Sequence, residues 1–316
     1  MDIKSEFKEI LKETGSTYFT LIKILIPISI IVKILSYYGA IDIIGAYLAS
    51  TMGLVGLPGE FGFVWATTMV ANIYGGLLVF VQLSLTNTYT VAQVTILGAM
   101  MLIAHTLPLE ARIAQKAGVR LWFTLTLRIL GAFTFGFILN TIFNTFNLFK
   151  ENSVVIWKPE NIDLTLINLL LNEIRYYLII FLIILGLVSL LKVLKSTGAI
   201  ERLNRLLKPA LEFIGMSKNA APITIIGMTL GISYGGGLII QETKSKLVSK
   251  KDAFLSLSLM GLTHSIIEDT ILILSIGASI FGILLGRALF TLVVIIILIK
   301  IINRLSSKTF EKYFVN

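Results

Sequence analysis

Cysteine is missing from all 316 residues of this chain. Disulfides, thiolate metal sites, iron–sulfur clusters and cysteine nucleophiles are thereby excluded. Charge is scarce too: Asp, Glu, Lys and Arg make up 14% of the residues, against about a quarter in a soluble domain. Hydrophobic residues reach 56% and mean hydropathy is +0.89, so a water-soluble enzyme is excluded. The phosphate-loop pattern Gly-x-x-x-x-Gly-Lys-Ser/Thr, the zinc pattern His-Glu-x-x-His and the nucleophile elbow Gly-x-Ser-x-Gly are all absent. No enzymatic activity and no cofactor are therefore expected.

What is present in quantity is apolar sequence. Runs at 18–38, 91–107, 119–143, 176–194 and 283–302 reach the roughly 17–25 residues that a helix needs to cross a bilayer. Several such runs imply a bundle, because backbone polar groups in lipid must be satisfied internally. The N-terminal residues Met1 to Glu6 alternate in charge before a full-length apolar span. That is unlike a cleaved signal peptide, and the segment is expected to be retained. The net charge of +9 comes from Lys and Arg placed beside the apolar spans, where they report orientation and contact with anionic headgroups. Nucleic acid is not an expected partner.

The chain repeats itself. A shift of 159 residues lays Lys33-Ile34-Leu35-Ser36-Tyr37-Tyr38-Gly39-Ala40-Ile41 on Lys192-Val193-Leu194-Lys195-Ser196-Thr197-Gly198-Ala199-Ile200. It also superposes Gly56 on Gly215, Gln82 on Gln241, Arg128 on Arg287, and the chain's two histidines, His105 and His264, on one another. With one residue of slip, Ile73-Tyr74-Gly75-Gly76 lies beside Ser233-Tyr234-Gly235-Gly236-Gly237. The expected organisation is a cytoplasmic tail at 1–17, a first repeat at 18–145, a linker and lead-in helix at 146–174 with the polar stretch 150–163 and Pro159, a second repeat at 175–305, and a cytoplasmic tail at 306–316.

Positive charge sets the expected topology. Lys4, Lys8 and Lys12 place the N-terminus inside, and Arg112, Lys116 and Arg120 mark another inner connection. Segments 39–59 and 84–90 hold no Lys or Arg, so the apolar stretch between them enters and leaves by the outer face as a hairpin turning at Tyr74-Gly75-Gly76. In the second copy Arg202, Arg205 and Lys208 precede the matching stretch and Lys244, Lys246, Lys250 and Lys251 follow it, so that hairpin opens inward. Lys300, Arg304, Lys308 and Lys312 put the C-terminus inside. A tilted, kinked crossing is the rival to each hairpin. The fold expected is an all-α, polytopic membrane helical bundle of two inverted-topology repeats with glycine-broken or re-entrant helices, in the cell membrane with both termini cytoplasmic. Segment 198–215 reads as an amphipathic interfacial helix that acts as a packing collar.

Three groups of residues could carry chemistry. The broken segments hold Asn72, Tyr74, Gly75, Gly76 and Gln82 in one copy and Ser233, Tyr234, Gly235, Gly236, Gly237, Gln241 and Glu242 in the other. Clustered glycines let a helix unwind and offer backbone groups to a solute; close helix packing through small residues is the alternative. The second group is His105 with Glu110, and His264 with Ser265, Glu268 and Asp269. Ionisable groups inside a membrane span default to a functional hypothesis. Starting near Lys251, His264 lies about 20 Å along a helix, four residues before Glu268 on the same face. Arg112 and Lys116 put Glu110 near the surface, and a break near Gly277 to Gly282 keeps Glu268 and Asp269 within the membrane. The third group is Arg128 and Arg287, deep in apolar helices, where each needs a carboxylate, a carbonyl cage or an anionic ligand. Glu268 or Asp269 would pair with Arg287, and only Glu110 is available to Arg128.

The Gly-Ala-Ile element, the Tyr-Gly-Gly break and the later Leu262-Thr263-His264-Ser265-Ile266-Ile267-Glu268-Asp269 resemble the Gate domain, also called the nucleoside-recognition domain. That domain occurs twice in the membrane part of the ferrous-iron transporter B, and also in concentrative nucleoside transporters and spore maturation membrane proteins. The resemblance covers both repeats and implies a transport-like inverted-repeat fold. The cysteine-bearing glycine motif and GTPase of the iron transporter have no counterpart here. The function expected is a transporter or permease for a small polar solute, nucleoside-like by the resemblance alone, driven by a gradient or passive. A membrane scaffold like the spore maturation proteins and a divalent metal permease are the alternatives. Expected partners are the substrate, the lipid bilayer and a second copy of the chain.

Overall fold

A computed structural model describes residues 3–156, 166–213, 216–217, 220–244 and 248–316. Pro159 and the middle of the expected linker, Gly215 and Lys246 lie outside the described residues, as do the side chains of Ser233 and Tyr234. Every regular element among the described residues is a helix. Among the described residues, five stretches are long and apolar enough to cross a membrane: Lys8–Tyr37, Val91–Lys116, Leu121–Thr145, Tyr177–Ser196 and Phe281–Arg304. On α1 (Ile3–Tyr37), Ile26, Ile30 and Ile34 are exposed, a stripe at i, i+4 spacing. Leu289, Val293 and Ile297 repeat the pattern near the other end of the chain. Apolar stripes facing out and polar groups held inside suit a hydrocarbon solvent.

The expected duplication reappears as geometry. In the first copy follow α2 (Ala40–Gly53), α3 (Phe61–Val70), α4 (Ile73–Leu83), α5 (Val91–Ile103), α6 (Leu107–Lys116) and α7 (Leu121–Thr145). In the second, α8 (Leu166–Ser196) is followed by α9 (Ala199–Phe213), α10 (Ala220–Leu230), α11 (Ile232–Lys244), α12 (Lys250–Leu262), α13 (Glu268–Leu274) and α14 (Arg287–Arg304), the last entered through a π-helical turn at Phe281–Gly286. The starts of α2 to α5 recur 159 residues later at α9 to α12. So do the backbone irregularities. Left-handed residues pair as Gly39 with Gly198 (φ 66° and 68°), Thr106 with Ser265 (49° and 46°) and Gly118 with Gly277 (101° and 90°). Thr90 caps α5 by accepting from Gln93 N at 3.2 Å, and Ser249 caps α12 by accepting from Asp252 N at 3.0 Å. A helix C-terminal to α14, α15 (Ser307–Phe314), tucks its end against the α6–α7 turn, where Asn316 N donates to Gly118 O at 2.8 Å.

The leading helices of the two copies, α1 and α8, run in opposite directions. Glu9, near the start of α1, meets Lys192, near the end of α8, at 2.6 Å. Tyr18 then stacks edge-on against Phe181 at 5.3 Å, so the two leading helices run antiparallel.

The stretches expected to be hairpins are hairpins in the sense that α3 packs along α4 and α10 along α11. Each is 10–13 residues long, about half the bilayer core at 1.5 Å per residue. The turn is not at Tyr74-Gly75-Gly76, however. It falls at Ala71–Asn72, because the Asn72 side chain accepts from Gly75 N at 2.9 Å and starts a new helix. Gly75 and Gly76 lie in the first turn of that helix and pack closely against their neighbours. A Cβ at Gly76 would overlap the Thr68 hydroxyl, one at Gly235 the Gly227 backbone, and one at Gly236 the Ile113 side chain. Gly237 has open space.

Candidate functional site

α5 and α12 are 13 residues each, about 20 Å, and stop inside the protein. Each is followed by the same short break, Ala104-His105-Thr106 and Thr263-His264-Ser265, in which the residue after the histidine takes a left-handed conformation. His264 is therefore not on a continuous helix with Glu268, as its spacing implied. It lies in the break, and α13 begins at Glu268.

The breaks bring the two histidines together. Each ring bonds through Nδ1 to the carbonyl of the residue four before it, His105 to Met101 O at 3.0 Å and His264 to Met260 O at 2.7 Å. A carbonyl only accepts, so both Nδ1 atoms carry hydrogen and both Nε2 atoms are left to face the interior. Those two Nε2 atoms lie 2.9 Å apart. Glu110 Oε1 lies 3.2 Å from His264 Nε2 and 3.6 Å from His105 Nε2, and Asp269 Oδ2 lies 3.6 Å from His105 Nε2. All four residues are buried.

Glu110 is not near the surface. Arg112 and Lys116 lie on the outward part of α6, whereas Glu110 turns inward and pairs with Arg128 on α7. Arg128 is fully buried and also donates to two carbonyls freed by the break, Nε to Ile103 O at 2.8 Å and Nη2 to His105 O at 3.0 Å. This is the acid-plus-carbonyl cage that an intramembrane Arg requires. Its repeat mate Arg287 is equally buried, but none of its three nitrogens makes a hydrogen bond to the protein. Asp269 acts on it electrostatically, and Asp269 Oδ2 makes no hydrogen bond either. Neither Glu268 nor Asp269 is thus hydrogen-bonded to Arg287.

Glu110 and Asp269 stand in the same register as the histidines and arginines. Each copy thus contributes one imidazole, one carboxylate and one guanidinium to a single cluster. The signal was in the sequence, but an identity match skips a Glu aligned with an Asp.

Other expected site residues lie elsewhere. Tyr74 OH donates to Glu268 Oε1 at 3.2 Å and so reaches the edge of the cluster across the repeat boundary. Gln82 is bonded to Ser29 Oγ at 3.4 Å, Gln241 is exposed, and Ser265 forms the backbone break. A cleft of about 430 Å³ runs between α1 and α8, lined by Glu9, Glu13, Ser16, Thr17, Lys192 and Lys195 among others, and ends on Glu268.

No family model matches the chain, and no solved structure matches it. A Bacillus subtilis (strain 168) protein described as "Uncharacterized membrane protein YvoD" is 27% identical over 274 residues, covering 86% of each chain. With the five apolar spans, this relative supports a membrane location, and the chain is an integral membrane protein.

Proposed function

We propose that this protein moves a small polar solute or ion across the membrane, binding it at the cluster of His105, Glu110, His264 and Asp269. One observation carries the reading: four ionisable side chains are buried where two half-length helices from opposite repeats stop and meet. Discontinuous helices meeting at a polar midpoint are how secondary transporters build a site around which two related halves rock. The antiparallel α1 and α8 support an inverted arrangement, and the basic flanks support cytoplasmic N- and C-termini. The cleft from Glu9 to Glu268 supplies access from the side of the N-terminus. The resemblance to paired Gate units is the ground for a nucleoside-like solute, and the two carboxylates that face the imidazoles are the ground for a cation.

The test is flux in proteoliposomes against nucleosides, organic anions, protons and divalent metals. Uptake of one class, lost in His105→Gln and His264→Gln while the protein still elutes as a folded species, is the expected result. A folded, reconstituted protein that passes none of them is a scaffold, and the transport reading is then wrong.

A further inference from the structure

We infer that His105, His264 and Asp269 form a three-donor site for a first-row divalent transition metal, with Glu110 beside it. The inference rests on the transport reading for the purpose of the site and on the local chemistry for what it binds.

Both Nδ1 atoms are committed to backbone carbonyls, so both Nε2 atoms turn toward one another across 2.9 Å, and a proton or a metal ion between them is shared by the two rings. Nδ1 held by a carbonyl is also the usual outer support of a metal-bound imidazole, fixing its tautomer and aim.

The spacing suits a metal. Ligand distances of about 2.0–2.2 Å in a tetrahedral site set donor atoms about 3.3–3.5 Å from one another. The Nε2–Nε2 separation is 2.9 Å, Glu110 Oε1 lies 3.2 and 3.6 Å from the two rings and Asp269 Oδ2 lies 3.6 Å from His105 Nε2, so these donors stand near ligand spacing. His105, His264 and Asp269 each offer a ligand atom within 4.8 Å of the others. Asp269 Oδ2 provides an independent sign. Its side chain is 8% exposed, this oxygen has no hydrogen-bond partner, and it faces the His105 Nε2. A buried carboxylate oxygen left bare costs stability unless something meets it. Glu110 complements it, with one oxygen on Arg128 and the other toward the two rings.

The donor set narrows the ion. Two imidazoles argue against Ca²⁺ and Mg²⁺, which take oxygen shells. The absence of cysteine argues against Cu(I). Imidazole with carboxylate suits Zn²⁺, Co²⁺, Fe²⁺ and Mn²⁺.

The experiment uses the full chain, purified in detergent, stripped with a chelator and titrated with Co²⁺, then with Zn²⁺ in competition. The expected result is one equivalent per chain, with the intense visible bands of low-coordinate Co²⁺ displaced by Zn²⁺. Asp269→Asn and His264→Gln should each weaken binding by about 100-fold or more, since even outer-shell partners are worth 10–100-fold. Glu311→Gln, on the surface salt bridge with Lys250, should leave it unchanged. Size-exclusion profiles and Zn²⁺-dependent thermal shifts separate lost ligation from lost folding. No stoichiometric Co²⁺ or Zn²⁺ uptake by folded wild type overturns the site, as does equal affinity in folded Asp269→Asn and His264→Gln. Stoichiometric metal without metal flux in proteoliposomes keeps the site and overturns transport of that metal. Nucleoside or anion flux by a chain that binds no metal overturns the site and keeps transport.

Discussion

Arg128 and Arg287 occupy equivalent positions in the two copies, and the structure demands opposite outcomes from the same substitution. In Arg128→Met, the apolar stem is kept and the guanidinium is lost, leaving Glu110 buried without its ion pair and Ile103 O and His105 O without donors. Removing one partner of a buried pair costs about 3–5 kcal/mol. At about 2 °C per kcal/mol for a chain of this size, the midpoint of thermal unfolding should fall by roughly 6–10 °C. Arg128→Lys should fall in between, because an ammonium is a point charge that does not span three acceptors set out for a fork. In Arg287→Met the side chain removed makes no hydrogen bond to the protein, and burying an unbonded cation is itself costly. Its loss offsets the weakened attraction to Asp269, and the midpoint should move by no more than about 2 °C in either direction. The assay is thermal unfolding of the two variants and wild type in one detergent at one protein concentration. Equal falls for both arginines, or a larger fall for Arg287→Met, would show that the asymmetry between the copies is not a property of the folded protein.

Further consequences concern the hairpins and the cleft. Gly76→Ala and Gly235→Ala should each abolish stable expression, or lower stability by about 1–3 kcal/mol where the overlap relaxes, whereas Gly237→Ala, with open space at its Cβ, should be indistinguishable from wild type in yield and melting. Asn72→Ala removes the cap on Gly75 N and should cost about 0.5–2 kcal/mol, read as a lower unfolding midpoint; no change would mean that the turn is held by packing alone. Because the chain lacks cysteine, Glu13→Cys and Thr17→Cys in the cleft give single thiols, and a membrane-impermeant maleimide should label both from the cytoplasmic side of oriented vesicles. Labelling from the opposite side would reverse the assigned orientation.

Much of the architecture was legible because lipid leaves few choices. Apolar runs marked the long spans, and the shift that aligns two histidines also aligned the helices, their caps and their left-handed residues. The break near Gly277 was legible as a run too long for one crossing, and α13 does end at Leu274. What failed to show was where short helices begin and end. Tyr74-Gly75-Gly76 looked like a turn, yet a side-chain cap at Asn72 puts the turn before it and turns the glycines into packing contacts. His264 and Glu268 looked like one helix face, yet the break at Ser265 sends Asp269 toward the cluster and Glu268 toward Tyr74. Glu110 was read from its charged neighbours, although a short helix presents alternate faces to water and to the core. The two glutamines matched in register but not in role, since neither touches the cluster.

The contact between His105 and His264 also makes the two copies depend on each other. A residue that meets its own counterpart sets the surroundings of both copies at once. Elsewhere the copies differ, at Glu110 against Asp269, Thr106 against Ser265, and an Arg128 that is bonded to Glu110 against an Arg287 without a hydrogen-bond partner among the described residues. At the histidines each ring is part of the other's surroundings, so a substitution in one copy is felt at once in the other.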